Sequence, residues 1–218
     1  MQSVTLLCVS KTASADAVRE AFNAGERAFG ENYVQEAVDK MSVLADLRAQ
    51  TEWHLIGPLQ SNKTRLAAER FDWVHAVDRL KLAQRLSEQR PAQLPPLQIC
   101  LQVNISGETT KSGLAPAEVA GVARAIDGLP RLRLRGLMAI PEPAADLAAQ
   151  RRPHAALREL LHALQREGHA LDTLSMGMTA DLDAAILEGA TIVRVGTAIF
   201  GARPPGPQAD LRRSTPPL

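Results

Sequence analysis

The sequence predicts a single-domain α/β fold, specifically a parallel barrel of eight strands, (β/α)8, with a small-ligand site at the strand C-terminal ends. Three observations carry that expectation. Short β-rich apolar runs alternate with longer helical stretches, the pattern that parallel strands with helical crossovers require. Eight such runs can be counted along the chain. After the first run stands Ser10-Lys11-Thr12-Ala13, not the Gly-rich turn of an open dinucleotide-binding sheet.

The length of 218 residues suits one small barrel, for which about 200 residues is the lower limit. Apolar residues at 45% and charged residues at 22% give an ordinary globular balance and exclude a disordered chain. Only 3% is aromatic, so Leu, Ala, Val and Ile must fill the core. With 25 Lys and Arg against 24 Asp and Glu, no global field draws the protein to nucleic acid or anionic lipid. Uncharged apolar runs stay shorter than the roughly 18 residues of a membrane span. Neither nucleic acid nor membrane is therefore expected as a partner. Cys8 and Cys100 lie inside apolar runs and read as buried, reduced thiols of a cytoplasmic protein.

Residues 4–9 form a nearly continuous apolar strand, as expected when both faces are covered. A helix follows over 14–27, capped by Ser14, with Asp16 at its positive end and Val18, Ala21 and Phe22 on one face. Strands are expected at 27–30, 53–56 and 73–77, after which Asp78 caps a helix carrying Leu82, Ala83 and Leu86. A strong strand at 97–103 leads to a helix marked by Pro116, Val119, Val122 and Ile126, which stops near Gly128 and Pro130. A strand at 134–140 and a helix built on Leu157, Leu160, Leu161 and Leu164 come next. Strand 171–174, helix 179–187 and strand 191–200 complete the count. The barrel is expected to occupy 1–203, with a Pro-rich, disordered tail at 204–218. Because the chain opens almost on its first strand, the seam between the last and first strands is expected to be thinly covered.

Polar residues collect where strands end. Alternation puts Lys11 on the face of Thr5, Leu7 and Val9; it is either an amine at the barrel mouth, able to attack a carbonyl, or a surface lysine. Arg194 alternates with Ile192 and Gly196, and an inward arginine calls for an anion or acceptor. Gly196-Thr197 after the last strand and Ser175-Met176-Gly177-Met178 after the seventh offer amides and hydroxyls where such barrels hold phosphate. His54 reads either as a ligand contact or as a satisfied core histidine, and Asn32 as a ring-substituent contact or a turn cap. The five histidines, with His154 and His162 read as solvent-facing, show no metal-ligand spacing. An amine, a phosphate cradle and an inward arginine suggest a pyridoxal phosphate site, with lysine-dependent aldol chemistry on a phosphorylated sugar as the other reading of the same parts.

The chain resembles the pyridoxal phosphate homeostasis proteins, the YggS/PROSC family, which are similar to the N-terminal domain of alanine racemase. The stretches carrying the resemblance are LLCVSKT at 6–12, FGENYVQE at 29–36, WHLIGPLQSNK at 53–63 and FDWVHAVDR at 71–79. CLQVNISGETTKSG at 100–113, LRGLMAIP at 134–141, DTLSMGMTADL at 172–182 and GATIVRVGTAIFGAR at 189–203 continue it. The resemblance implies a (β/α)8 barrel holding pyridoxal 5'-phosphate as an internal aldimine on Lys11. It implies that Arg194 faces the pyridine nitrogen, that Ser175, Gly196 and Thr197 bind phosphate, and that Asn32 and His54 line the pocket. It further implies a role in intracellular pyridoxal phosphate homeostasis, apo-enzyme recipients of the cofactor, and a monomer or weak dimer. An amino-acid racemase or related enzyme is the alternative, and would need a base opposite Lys11; the single tyrosine, Tyr33, cannot be placed from sequence. Family members usually carry a helix before the first strand, whereas here that helix is missing from the sequence as it stands.

Overall fold

The eight strands run β1 (Thr5–Val9), β2 (Ala28–Glu31), β3 (Glu52–Leu55), β4 (Trp73–Val77), β5 (Leu97–Gln102), β6 (Leu132–Met138), β7 (Thr173–Ser175) and β8 (Ile192–Val195). In this computed structural model, which describes residues 3–108 and 112–201, they pair in sequence order, all parallel, and close where β1 meets β8. Around them lie α1 (Ala15–Asn23), α2 (Val34–Val43), α3 (Thr64–Arg70), α4 (Leu80–Gln89), α5 (Pro116–Asp127), α6 (Leu147–Arg166), α7 (Leu182–Leu187) and α8 (Thr197–Phe200). The expected tail at 204–218 lies outside the described residues.

Alternation along the strands sorts the apolar side chains into two cores. Leu7, Ala28, Ile56, Trp73, Ala76, Cys100, Met138 and Ile192 fill the barrel, with Val9 against them. Phe29, Trp53, Leu55, Val74, Ile99, Leu101, Leu137 and Val193 point outward into a larger jacket shared with the helices. That sorting places the inward face of β1 as the sequence predicts. Gly136 permits the closure on one side, since a Cβ there would meet the Thr173 carbonyl oxygen at 1.8 Å.

Three expectations need correction. The last strand ends at Val195, and residues 197–200 wind into α8. An apolar run fits a buried strand and a short helix equally well, and the change of direction falls at Gly196. Ile199 and Phe200 of α8, together with Leu6 of β1, are only partly buried against the outer core. Asp78 does not cap α4; Arg79 occupies the N-cap without a side-chain capping bond, and its guanidinium pairs with Asp78 instead. His154 is fully buried. It sits on the inward stripe with Leu157, Leu161 and Leu164, where the many charges around it obscured the helical period. Ser14 does cap α1, accepting from the Ala17 N–H at 3.2 Å.

Candidate functional site

At the strand C-terminal ends the barrel opens on a cavity of about 250 Å³, close to the lower bound of roughly 300 Å³ for small-molecule sites. Five predicted residues meet in its wall: Lys11, Asn32, Arg194, Gly196 and Thr197. The wall continues through Met178, from the cluster expected after the seventh strand, and through Ile56, Pro58, Ile140 and Thr179, which the sequence reading did not single out as site residues. His54 and Ser175 are not in the wall. Both are buried in the barrel interior, one layer deeper.

Arg194 lies almost wholly inside the protein. Its Nη1 donates to the Ser175 carbonyl at 2.7 Å and to Ser175 Oγ at 2.9 Å, and Nη2 donates to the Ala139 carbonyl at 2.8 Å. Burial pulls the guanidinium down to about 10, with Asp181 opposing, so it still carries its charge at neutral pH. Two of its three acceptors are neutral carbonyls and the third a hydroxyl, which leaves a cation facing the cavity.

Ser175 leads into a buried chain. Its Oγ is 2.8 Å from His75 Nδ1, and His75 Nε2 is 2.9 Å from His54 Nδ1. His54 stacks on Trp73 with 9° between the rings, and Glu52 stands 3.6 Å from its other nitrogen. Because Ser175 Oγ accepts from Arg194, its own proton is available to His75 Nδ1. The hydrogen bonds then run in one direction from Arg194 to His54. There His54 Nε2 is buried without a hydrogen-bond partner among the described residues, Glu52 at 3.6 Å being too far to accept one. Burial, then the neighbouring His54 and Arg194, push the His75 imidazole well below its ordinary value. His75 was missed in the sequence, although its two-residue offset from Trp73 on an apolar strand puts it inside.

The turn after β1 is closed by the Ala13 N–H on the Ser10 carbonyl at 3.0 Å. Thr12, its third residue, has a φ of 64°, a conformation that non-glycine residues adopt only when held there. Beneath this turn lies a buried ion pair, Lys40 Nζ to Glu31 Oε1 at 2.6 Å. On the facing side, Gly57 packs against the Asn32 backbone so closely that a Cβ would meet its carbonyl oxygen at 2.4 Å.

The β7–α7 loop is held by Asp181. Its Oδ1 accepts from the Met178 N–H at 2.7 Å and its Oδ2 lies 2.9 Å from His154 Nε2. Burial alone would raise this carboxyl; the bonds to His154 and Met178 outweigh it and hold Asp181 below the usual range. Cys8 and Cys100 are buried free thiols, both pushed up to about 12 by burial. Among the described residues no cluster of metal-ligating side chains occurs, and no helix is long and apolar enough to cross a membrane.

Barrel and mouth together define the class. The alanine racemase N-terminal domain family matches residues 1–204. The chain is 64% identical over 208 residues to the pyridoxal phosphate homeostasis protein of Pseudomonas aeruginosa, covering 95% of this chain and 88% of that one. It therefore belongs to the pyridoxal phosphate homeostasis protein family. PipY of Synechococcus elongatus, solved with PLP bound, is 41% identical with a TM-score of 0.85, the match covering 92% of this chain and 94% of PipY. Alanine racemase of Corynebacterium glutamicum shares the fold at a TM-score of 0.70 and 20% identity, the match covering 96% of this chain and 58% of the racemase.

Proposed function

We propose that this chain binds pyridoxal 5'-phosphate in the cavity at the barrel mouth and serves intracellular homeostasis of that cofactor without turning over amino acids. The observation that carries the reading is the composition of the cavity wall. Among the described residues, its ionisable side chains are Lys11 and Arg194 alone.

The donor set fits the group. Lys11 supplies an amine for the aldehyde, and Asn32 an amide for a ring substituent. Thr179, Gly196 and Thr197 gather hydroxyls and backbone where β7 and β8 end, the place phosphate takes in such barrels. When bound, the cofactor supplies an electron-withdrawing ring to any amine attached to it. Facing the ring nitrogen, as the family resemblance implies, Arg194 would set how far that ring can act. A permanent cation against the ring nitrogen disfavours a proton there and weakens the ring as an electron sink. Ser175 and His54 serve from below, Ser175 by fixing the guanidinium and His54 by continuing the buried chain.

Racemisation would need a second base across from Lys11. Tyr33 is 60% exposed and stands outside the wall. Holding and releasing the aldehyde suits the site better, with cytoplasmic apo-enzymes as recipients. The family likeness and the PLP-bound PipY support this reading.

The test is borohydride reduction of protein incubated with pyridoxal phosphate, followed by peptide mass analysis. The adduct is expected on Lys11 and is expected to vanish in Lys11→Ala. Labelling at Lys63 in place of Lys11 would overturn the assignment.

A further inference from the structure

The backbone on both sides of Lys11 is tied to one buried cluster of charges. Lys40 Nζ donates to the Ser10 carbonyl at 2.7 Å, and Ser10 Oγ donates to Glu31 Oε1 at 2.7 Å. On the other side the Thr12 N–H donates to Glu36 Oε1 at 2.6 Å. Lys40 joins the two carboxylates, at 2.6 Å from Glu31 and 3.4 Å from Glu36. Glu31 comes from β2, whereas Glu36 and Lys40 come from one face of α2, four residues apart.

This cluster is an expensive way to gain stability. Glu31 is fully buried and Lys40 is 7% exposed, and a buried pair of this kind is often no better than apolar residues of the same volume. Glu31 Oε2 is buried with no hydrogen-bond partner among the described residues. Burial drives the Glu31 carboxyl up, and Lys40 and Ser10 pull it back. What the cluster does achieve is geometric. It fixes a carbonyl one residue before Lys11 and an amide one residue after it, the latter in the left-handed conformation.

We infer that Glu31, Glu36 and Lys40 are positioning residues for Lys11, setting the turn from which its amine reaches the aldehyde. The inference rests on Lys11 being the covalent anchor. Capture condenses the amine with the aldehyde carbon and releases the aldehyde oxygen as water, so it depends on the approach of Nζ. Binding of ring and phosphate does not depend on that approach. Loosening the turn should therefore slow capture and spare reversible binding.

Two variants test this. Glu36→Ala removes a half-buried carboxylate, and the double variant Lys40→Met with Glu31→Gln removes the buried charges without stranding either one. Each is compared with the unaltered protein for the rate of borohydride-trappable adduct formation with pyridoxal phosphate. Each is also titrated with 4'-deoxypyridoxine 5'-phosphate, which has the same ring and phosphate but no aldehyde. Capture is expected to slow by about tenfold to a hundredfold, the scale of a misplaced reacting group, with affinity for the aldehyde-free analogue unchanged. Unchanged capture overturns the inference, as does a parallel loss of capture and analogue binding, which would make the cluster merely structural. If the unaltered protein forms no adduct on Lys11, the anchor assignment itself has failed, an outcome distinct from both.

Discussion

His75 Nδ1 and Ser175 Oγ are 2.8 Å apart although one hundred residues separate them in sequence. The contact spans the barrel interior from β4 to β7 and connects the cation at the mouth to the aromatic floor. His75 is held neutral there, because burial first, and then His54 and the Arg194 cation, disfavour a charge on its ring.

Acid should therefore undo the barrel early. The native pKa of His75 lies well below 6.5, so the folded state refuses a proton that the unfolded state accepts. The stabilisation is full above the unfolded value and is lost as pH falls below it, by up to about 1.4 kcal/mol per pH unit. Urea unfolding at about pH 7.5 and about pH 5.5 is expected to show this slope in the native chain. In His75→Gln the slope should flatten across that window, with lower stability at the higher pH.

Gly136→Ala is expected to be among the most damaging single-atom additions. The new Cβ would lie 1.8 Å from the Thr173 carbonyl oxygen, and that oxygen belongs to a paired strand that cannot retreat alone. Overpacking usually costs about 1–3 kcal/mol, and the upper end or beyond is expected here. Thermal denaturation reads it directly. Gly128→Ala, where a Cβ meets nothing within 4 Å, is the control that should stay close to the native chain.

Asp181→Ala should act on the ligand more than on the fold. Losing its bonds to Met178 and His154 frees the loop that places Met178 and Thr179 in the cavity wall. Affinity for pyridoxal phosphate is expected to weaken by about tenfold, or about 1.4 kcal/mol. Fluorescence titration measures it, and the trapped adduct should still form on Lys11. Unchanged affinity would mean that the loop is held by its other contacts.

Strand number, order of elements and the inward faces of β1 and β8 were legible in the sequence because periodicity two and the punctuation between runs are local signals. So were Lys11 and Arg194, whose alternation with Val9 and Ile192 can be read without a structure. What alternation does not report is depth. His54 and Ser175 share the inward face with cavity residues, yet each lies further from the mouth, and neighbouring strands decide how far. The charged cluster of Glu31, Glu36 and Lys40 was hidden for another reason. Such side chains are mostly exposed, and only the packing of α2 against β2 turns them inward.

The final expectation concerns chemistry. Exchange of the α-proton of an amino acid needs a base above the carbon, a ring that accepts the electron pair, and a second acid for inversion. Lys11 could serve as one base once an external amine has displaced it. The rest of the described wall supplies no second base: Ile56, Ile140 and Met178 transfer no proton, and Arg194 keeps its own at neutral pH. Cofactor-loaded protein in deuterated buffer is therefore expected to leave the α-proton of L-alanine in place over hours by NMR, and to form no D-alanine. Arg194→Glu, which would favour a ring-nitrogen proton, should raise slow, Lys11-dependent exchange with retention if the cofactor still binds. Fast exchange with inversion in the native chain would reveal a second base supplied from outside the described cavity wall, and would return the racemase reading to the front.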